Sequence, residues 1–164
     1  MKTGRIAVLA LLLGTADASA CSLAPFSKEF EIDRQASRSD RPLEGLTIES
    51  VNFVPWLVGG DSCDGVGWLE VRLGSTRPRI KGLRQHGYLV RAVSGVNDTG
   101  FFPDYPLRFI PRERGKNTLF WGWTGITPDA DGHVRWNLEI VPVSRSGVQG
   151  EGVRFCVSSD RSCP

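Results

Sequence analysis

The chain has 164 residues and carries 20 Lys and Arg against 18 Asp and Glu, a net charge of +2. That balance excludes the strongly basic composition of a nucleic-acid binder, and overall charge points to no partner class. The length allows one hydrophobic core of ordinary size.

The first residues read as an export signal. Lys2 and Arg5 form a basic start, Ile6 to Leu13 is an unbroken apolar run, and Gly14 ends it. Ala18-Ser19-Ala20 then supplies the small-x-small pattern that signal peptidase needs. The reading is therefore a cleaved signal peptide at 1–20, an N-terminal arm at 21–45 and one domain at 46–164, in the periplasm or secreted. Removing 1–20 takes Lys2, Arg5 and Asp17, which leaves 18 of the 20 basic and 17 of the 18 acidic side chains. No later stretch approaches the roughly 20 apolar residues that span a bilayer.

The four cysteines are Cys21, Cys63, Cys156 and Cys163. An even number in an oxidising compartment predicts two disulfides. Zinc is the competing use, but there is no CxxC, and His86 and His133 lie far from any cysteine pair. The expected pairs are Cys156–Cys163 and Cys21–Cys63, with Cys63–Cys163 as the alternative. Lipidation of Cys21 is the competing fate of that residue. Ala18 stands where lipoprotein signals carry Leu, and a lipidated Cys21 would leave an odd number of thiols.

Along the chain, the arm offers one edge strand around Phe26–Ile32. Strand-like runs follow at Leu46–Val54, Gly67–Leu73, Gly87–Val93, Leu107–Ile110, Thr118–Thr124, His133–Val143 and Gly152–Val157. Several alternate: Leu69, Val71 and Leu73 point one way, as do Tyr88, Val90 and Ala92, then Leu119, Trp121 and Trp123. Trp136, Leu138 and Ile140 repeat the pattern, as do Val153, Phe155 and Val157. The tryptophans at 68, 121, 123 and 136 belong to strands and read as core rather than platform, with an outer face as the alternative for Trp68, which is out of phase with Leu69 and Val71. Gly, Pro, Asn and Asp fill the intervals. Seven short strands without a helical stripe predict an all-β, antiparallel sandwich.

Two stretches carry a resemblance. Trp136 to Gly147, a strand of alternating apolar residues entering a polar turn with Gly, resembles the last hairpin of fibronectin type III modules. Tyr88-Leu89-Val90-Arg91-Ala92-Val93 resembles their third strand. The resemblance covers roughly residues 46–158 and implies a seven-strand immunoglobulin or fibronectin type III-like sandwich. It departs from the family in its cysteines and in the Gly/Asp loop at 59–65. The Cys21-Ser22 start is similar to that of exported bacterial proteins, which implies placement. Such a fold implies no single activity.

Enzyme signatures are missing. There is no GxSxG, HExxH, GxxxxGK[ST] or GxGxxG. Gly60-Asp61-Ser62 echoes a GDS esterase block, yet Asp129 precedes His133 by four residues where those enzymes need Asp-x-x-His. Asp129-Ala130-Asp131-Gly132 has the first two carboxylates of a calcium loop without its distal Glu, and reads more readily as a tight turn. Asn97-Asp98-Thr99 matches a glycosylation sequon. No cofactor and no metal are expected.

A charge signal emerges when the connections between the seven strands are sorted by end. The first, third and fifth connections share one pole and contain Asp61, Asp64, Asp98, Asp104, Asp129 and Asp131, together with Trp56, Phe101, Phe102 and Tyr105. The second, fourth and sixth share the other, with Arg77, Arg79, Lys81, Arg84, Arg112, Arg114, Lys116 and Arg145 against Glu113. Carboxylates beside aromatic rings suit an envelope glycan. The basic pole suits an anionic envelope component. Head-to-tail association of copies is a third use. The competing reading is that loops are polar anyway and the aromatics plug the end of the core. The expected function is an exported, non-enzymatic binding or interaction module. The alternatives are a small secreted carbohydrate-active hydrolase using the loop carboxylates, or an accessory or inhibitory partner of another secreted protein.

Overall fold

The computed structural model describes residues 27–33, 35–36, 41, 43–58, 63–76, 80–96, 101–110 and 117–163, with the side chains of 80 and 81 left out. The proposed signal peptide and Cys21 lie outside these residues. Among the described residues, eight strands form two antiparallel sheets: β1 (Lys28–Glu29), β2 (Leu46–Val54), β3 (Val66–Ser75), β4 (Gly87–Ser94), β5 (Leu107–Arg108), β6 (Thr118–Thr124), β7 (Arg135–Val143) and β8 (Val153–Ser158). A five-stranded sheet runs β1-β5-β4-β7-β8 and a three-stranded sheet runs β2-β3-β6.

The strands form where the alternation of apolar residues requires them. Leu69, Val71 and Leu73 of β3, Leu119 and Trp123 of β6, and Leu138 and Ile140 of β7 all enter one buried core. Both sheets contribute to it, which makes the architecture a sandwich. Leu73, Leu138 and Ile140 are completely shielded from solvent. Ala92, expected to continue the inward row of Tyr88 and Val90, is exposed. A bulge between Ala92 and Ser94 ends the regular pairing of β4 with β7 there.

One lateral side of the sandwich is sealed by the arm. Ser27 donates its N–H to Phe120 O (3.0 Å), and its Oγ accepts the N–H of Phe120 (2.9 Å). The next two residues are β1, paired to β5 with Lys28 opposite Arg108. The arm thus bridges β6 of one sheet and β5 of the other. It then crosses the outer face of the larger sheet, where the Phe30 ring lies on Gly87 and Ile32 lies against Gly147. Asp33 N–H donates to Arg145 O (2.8 Å) at the far edge of that crossing.

The end of the sandwich that holds the β3–β4 connection is closed by polar locks on a buried frame. A 3-10 helix at Ile80–Gln85, which the sequence pattern did not announce, links β3 to β4. Tyr88 Oη donates to Leu83 O (2.7 Å) from a fully buried ring, and burial pushes its phenol far above the usual range. His86 is also buried, with Nδ1 2.6 Å from Gly82 O and Nε2 3.2 Å from Arg41 O. A neutral imidazole has one N–H and so donates to one of these carbonyls at a time.

Two substitutions test this frame. Ser27→Ala should leave the buried Phe120 N–H without its acceptor and lower stability by about 1–3 kcal/mol in urea denaturation. Leu138→Ala, at a completely buried site, should cost about 2–5 kcal/mol. An unchanged midpoint in the first variant would mean that the arm does not hold the seam.

Candidate functional site

The register of the strands sorts their connections to two ends, as the sequence pattern required. At one end Val54 pairs with Trp68 and Val66 with Thr124, while Ser94 pairs with Asn137 and Arg135 with Ser158. The β2–β3, β4–β5 and β6–β7 connections therefore meet there. Gly125 N–H donates to Gly65 O (3.4 Å), which joins the first and third of them.

The aromatic residues at this pole are structural to different degrees. Phe101 of the β4–β5 connection packs against Trp123 (5.3 Å between centroids) and edge-on to Trp136 (5.0 Å). Phe102 packs edge-on to Phe101 and to Trp136 (5.1 and 6.0 Å). Trp56 is half-buried against the same core. Tyr105, by contrast, is exposed. Trp123 Nε1 donates to Pro55 O (2.9 Å). Gly67 lies beneath that bond, where a Cβ would collide with both partners. Trp68, read as core from its place in a strand, stays outside the core cluster, because its phase is opposite to that of Leu69 and Val71.

Of the six carboxylates assigned to this pole, Asp61 and Asp98 lie outside the described residues. Asp64 and Asp104 are exposed. Asp129 is a turn former. Its Oδ1 accepts the N–H groups of Asp131 (3.0 Å) and His133 (2.9 Å), and Gly132 N–H returns to Asp129 O (3.0 Å). Its Oδ2 then takes Arg135 Nη1 at 2.9 Å, and Asp131 Oδ2 shares the same nitrogen at 3.3 Å.

Arg135, the first residue of β7, is the group that counting loop residues overlooks. Its Nε and Nη2 both donate to Asp160 Oδ2, at 3.0 and 2.8 Å. Asp160 belongs to the segment after β8, which a disulfide between Cys156 and Cys163 closes on itself. Ser158 Oγ donates to Asp160 Oδ1, and Ser162 N–H donates to the same oxygen at 3.0 Å. Cys63 is disulfide-bonded as well; Cys21, the partner expected for it, lies outside the described residues.

These contacts fix the charge states. The Ser158 and Ser162 hydroxyls, then Arg135, hold the Asp160 carboxyl far below the usual carboxylate range. The His133 amide is the largest influence lowering Asp129, opposed by burial and helped by the Asp131 amide and Arg135. Asp160 and then Asp131 raise the already high value of Arg135. The pole is thus partly self-neutralised. Among the described residues, no group of three or more His, Cys, Asp or Glu side chains is arranged to hold a metal ion.

Beside this cluster opens a cavity of about 240 Å³. Gly95 and Val96 form one wall, Gly125, Ile126 and Thr127 the other, and Phe101 and Trp136 complete it. Among the described residues, none of these carries a charge. Gly95, at φ 87°, packs so closely on Arg135 O that a Cβ would overlap it.

At the opposite end, Arg77, Arg79, Arg112, Arg114 and Lys116 lie outside the described residues, as does the Lys81 side chain. Arg145 is exposed, and Arg84 Nε donates to Asn117 Oδ1 (3.3 Å), joining the second and fourth connections. Among the described residues, no helix is long and apolar enough to cross a membrane.

The depressed carboxyls make stability acid-sensitive. Their contribution is complete above the unfolded-chain value of about 3.9 and is lost as pH falls toward the lower folded values. The urea midpoint should therefore hold from neutral pH to about 5 and decline below about 4. In Asp160→Asn that acid-dependent decline should be smaller; an identical pH profile would remove Asp160 from the account. Gly67→Ala should break the Trp123–Pro55 bond and shift tryptophan emission to longer wavelength. No protein-family model, no curated protein and no solved structure matches this chain.

Proposed function

We propose that this chain is an exported, non-enzymatic binding module that engages an uncharged, ring-sized group, such as one sugar residue, in the cavity between its β4–β5 and β6–β7 connections. The observation that carries this reading is the cavity itself. Its described walls combine aromatic and aliphatic side chains with glycine backbone and the Thr127 hydroxyl, without a charge. Such a lining offers C–H stacking together with hydrogen-bonding groups, which suits a neutral polyol better than an ion.

The fold is read as immunoglobulin or fibronectin type III-like. In support, counting from β2, the first, second and fifth strands (β2, β3, β6) share one sheet, and the third, fourth, sixth and seventh (β4, β5, β7, β8) share the other. That is the division common to immunoglobulin-type sandwiches. Export is supported by the signal-like start and by the Cys156–Cys163 disulfide. Hydrolysis is less well supported. A general acid needs a carboxyl raised toward neutral pH, whereas Asp129 and Asp160 are held below their ordinary range.

The test is calorimetric titration of the folded protein with neutral oligosaccharides identified on a glycan array. Ile126→Trp, which fills the cavity from a half-buried wall position, should weaken binding by about tenfold or more, the effect of losing roughly 1.4 kcal/mol. Absence of any neutral-glycan binding, or unchanged affinity in Ile126→Trp, would overturn the reading.

A further inference from the structure

We propose that Arg135 is the positioning residue of this cavity and that the disulfide-closed segment after β8 sets its grip. The consequence for ligand binding rests on the function proposed above; the mechanical claim does not.

Both walls of the cavity end on Arg135. The first is carried by Gly95, which packs directly on the Arg135 carbonyl. The second, Gly125–Thr127, runs into the turn that Asp129 builds and Arg135 Nη1 grips at 2.9 Å. The next residue, Trp136, belongs to the cavity and is itself buried. A change in the placement of residue 135 therefore reaches both walls through short, direct contacts.

Asp129 and Asp131 hold one side of the guanidinium, and Asp160 holds the other. It takes two of the guanidinium's N–H groups at one carboxylate oxygen and is itself fixed by Ser158 and Ser162. A single exposed ion pair is worth little, because two long side chains must be ordered to make it. Here the ordering is done beforehand. The Cys156–Cys163 ring confines Asp160 to a short closed loop, so less entropy is lost when it meets Arg135. Cys156 is anchored in β8 opposite Asn137 of β7, two residues from Arg135. The ring thus braces the strand that carries the guanidinium.

Opening the ring should release the grip. Each sulfur gains one electron and one proton from a dithiol, the S–S bond breaks to two thiols, and the dithiol closes to its own disulfide. Asp160 then loses its confinement, and the 125–129 wall keeps the Asp129 turn but loses a firmly placed Arg135.

Amide hydrogen exchange on the full folded chain without ligand tests this. In Arg135→Gln, in Asp160→Asn and in the Cys156→Ser/Cys163→Ser double variant, exchange at residues 95–96 and 125–127 should rise by about fivefold or more. Exchange at Gly87 and Val143, at the other end of the sandwich, should stay unchanged. Arg135→Lys, which keeps the charge without the fork, should restore only part of the protection. Unchanged exchange at the walls, or an equal rise at both ends, would overturn the proposal. Because no ligand is present, this outcome is independent of whether a sugar binds.

Discussion

The sandwich depends on four aromatic rings at one end. Phe53 of β2 and Trp123 of β6 come from the smaller sheet, Trp136 of β7 from the larger, and Phe101 from a connection between strands of the larger sheet. The centroids of Trp123 and Trp136 are 5.4 Å apart, so the two sheets touch directly through their largest side chains. Tilted and edge-to-face pairs of this kind are worth about 0.5–1.5 kcal/mol each beyond the area they bury. They bury Trp123 and Trp136 at the end of the core, where β7 begins with Arg135 at the surface and Trp136 inside. The charged cluster and the cavity are both consequences of that one change of face between adjacent residues.

The two lateral sides of the sandwich are treated differently. The arm fills one seam by bonding to β6 and pairing with β5. On the other, β2 and β8 end their sheets as edges. There β2 is irregular between Ile48 and Ser50, and the Glu49–Arg72 pair marks the irregularity with charge (3.0 Å). Arg154 of β8 projects toward Glu139 (3.0 Å). Bulges and charges at an edge discourage pairing with another chain.

Much of this frame was legible in the residues. The run Leu69-x-Val71-x-Leu73 and the run Trp136-x-Leu138-x-Ile140 can bury one face only as strands, and both do. The Gly- and Asp-rich intervals mark the turns. The short strand at Lys28–Glu29 was suggested only loosely, because two residues carry no alternation. The helix at Ile80–Gln85 was missed because six residues cannot show a stripe. Phe101 and Phe102 had two readings, platform or plug, and nothing local decides between them; packing against Trp123 and Trp136 does. Asp129 and Asp131 were named for that pole, but what they do there was not legible. Arg135 belongs to a strand, so a tally of loop residues passes over the side chain that engages three carboxylates. Asp160 was hidden for a different reason: it follows the last strand and belongs to no connection between strands, and it meets β7 from within the closed Cys156–Cys163 ring.

The bond between Ser27 and Phe120 joins positions 93 residues apart. Long loops cost closure entropy before they return any contact energy, and pairings of this span form slowly. In a chain that emerges from its N-terminus, the arm has no partner until β4 and β5 have followed it, and the Ser27 seam has none until β6 has. The outer face of the larger sheet, including Leu89 and Val141, is likewise built only after most of the chain is available. The arm is thus made early and seated late. The seam it closes reports that β5 and β6, one strand from each sheet, have come together behind it.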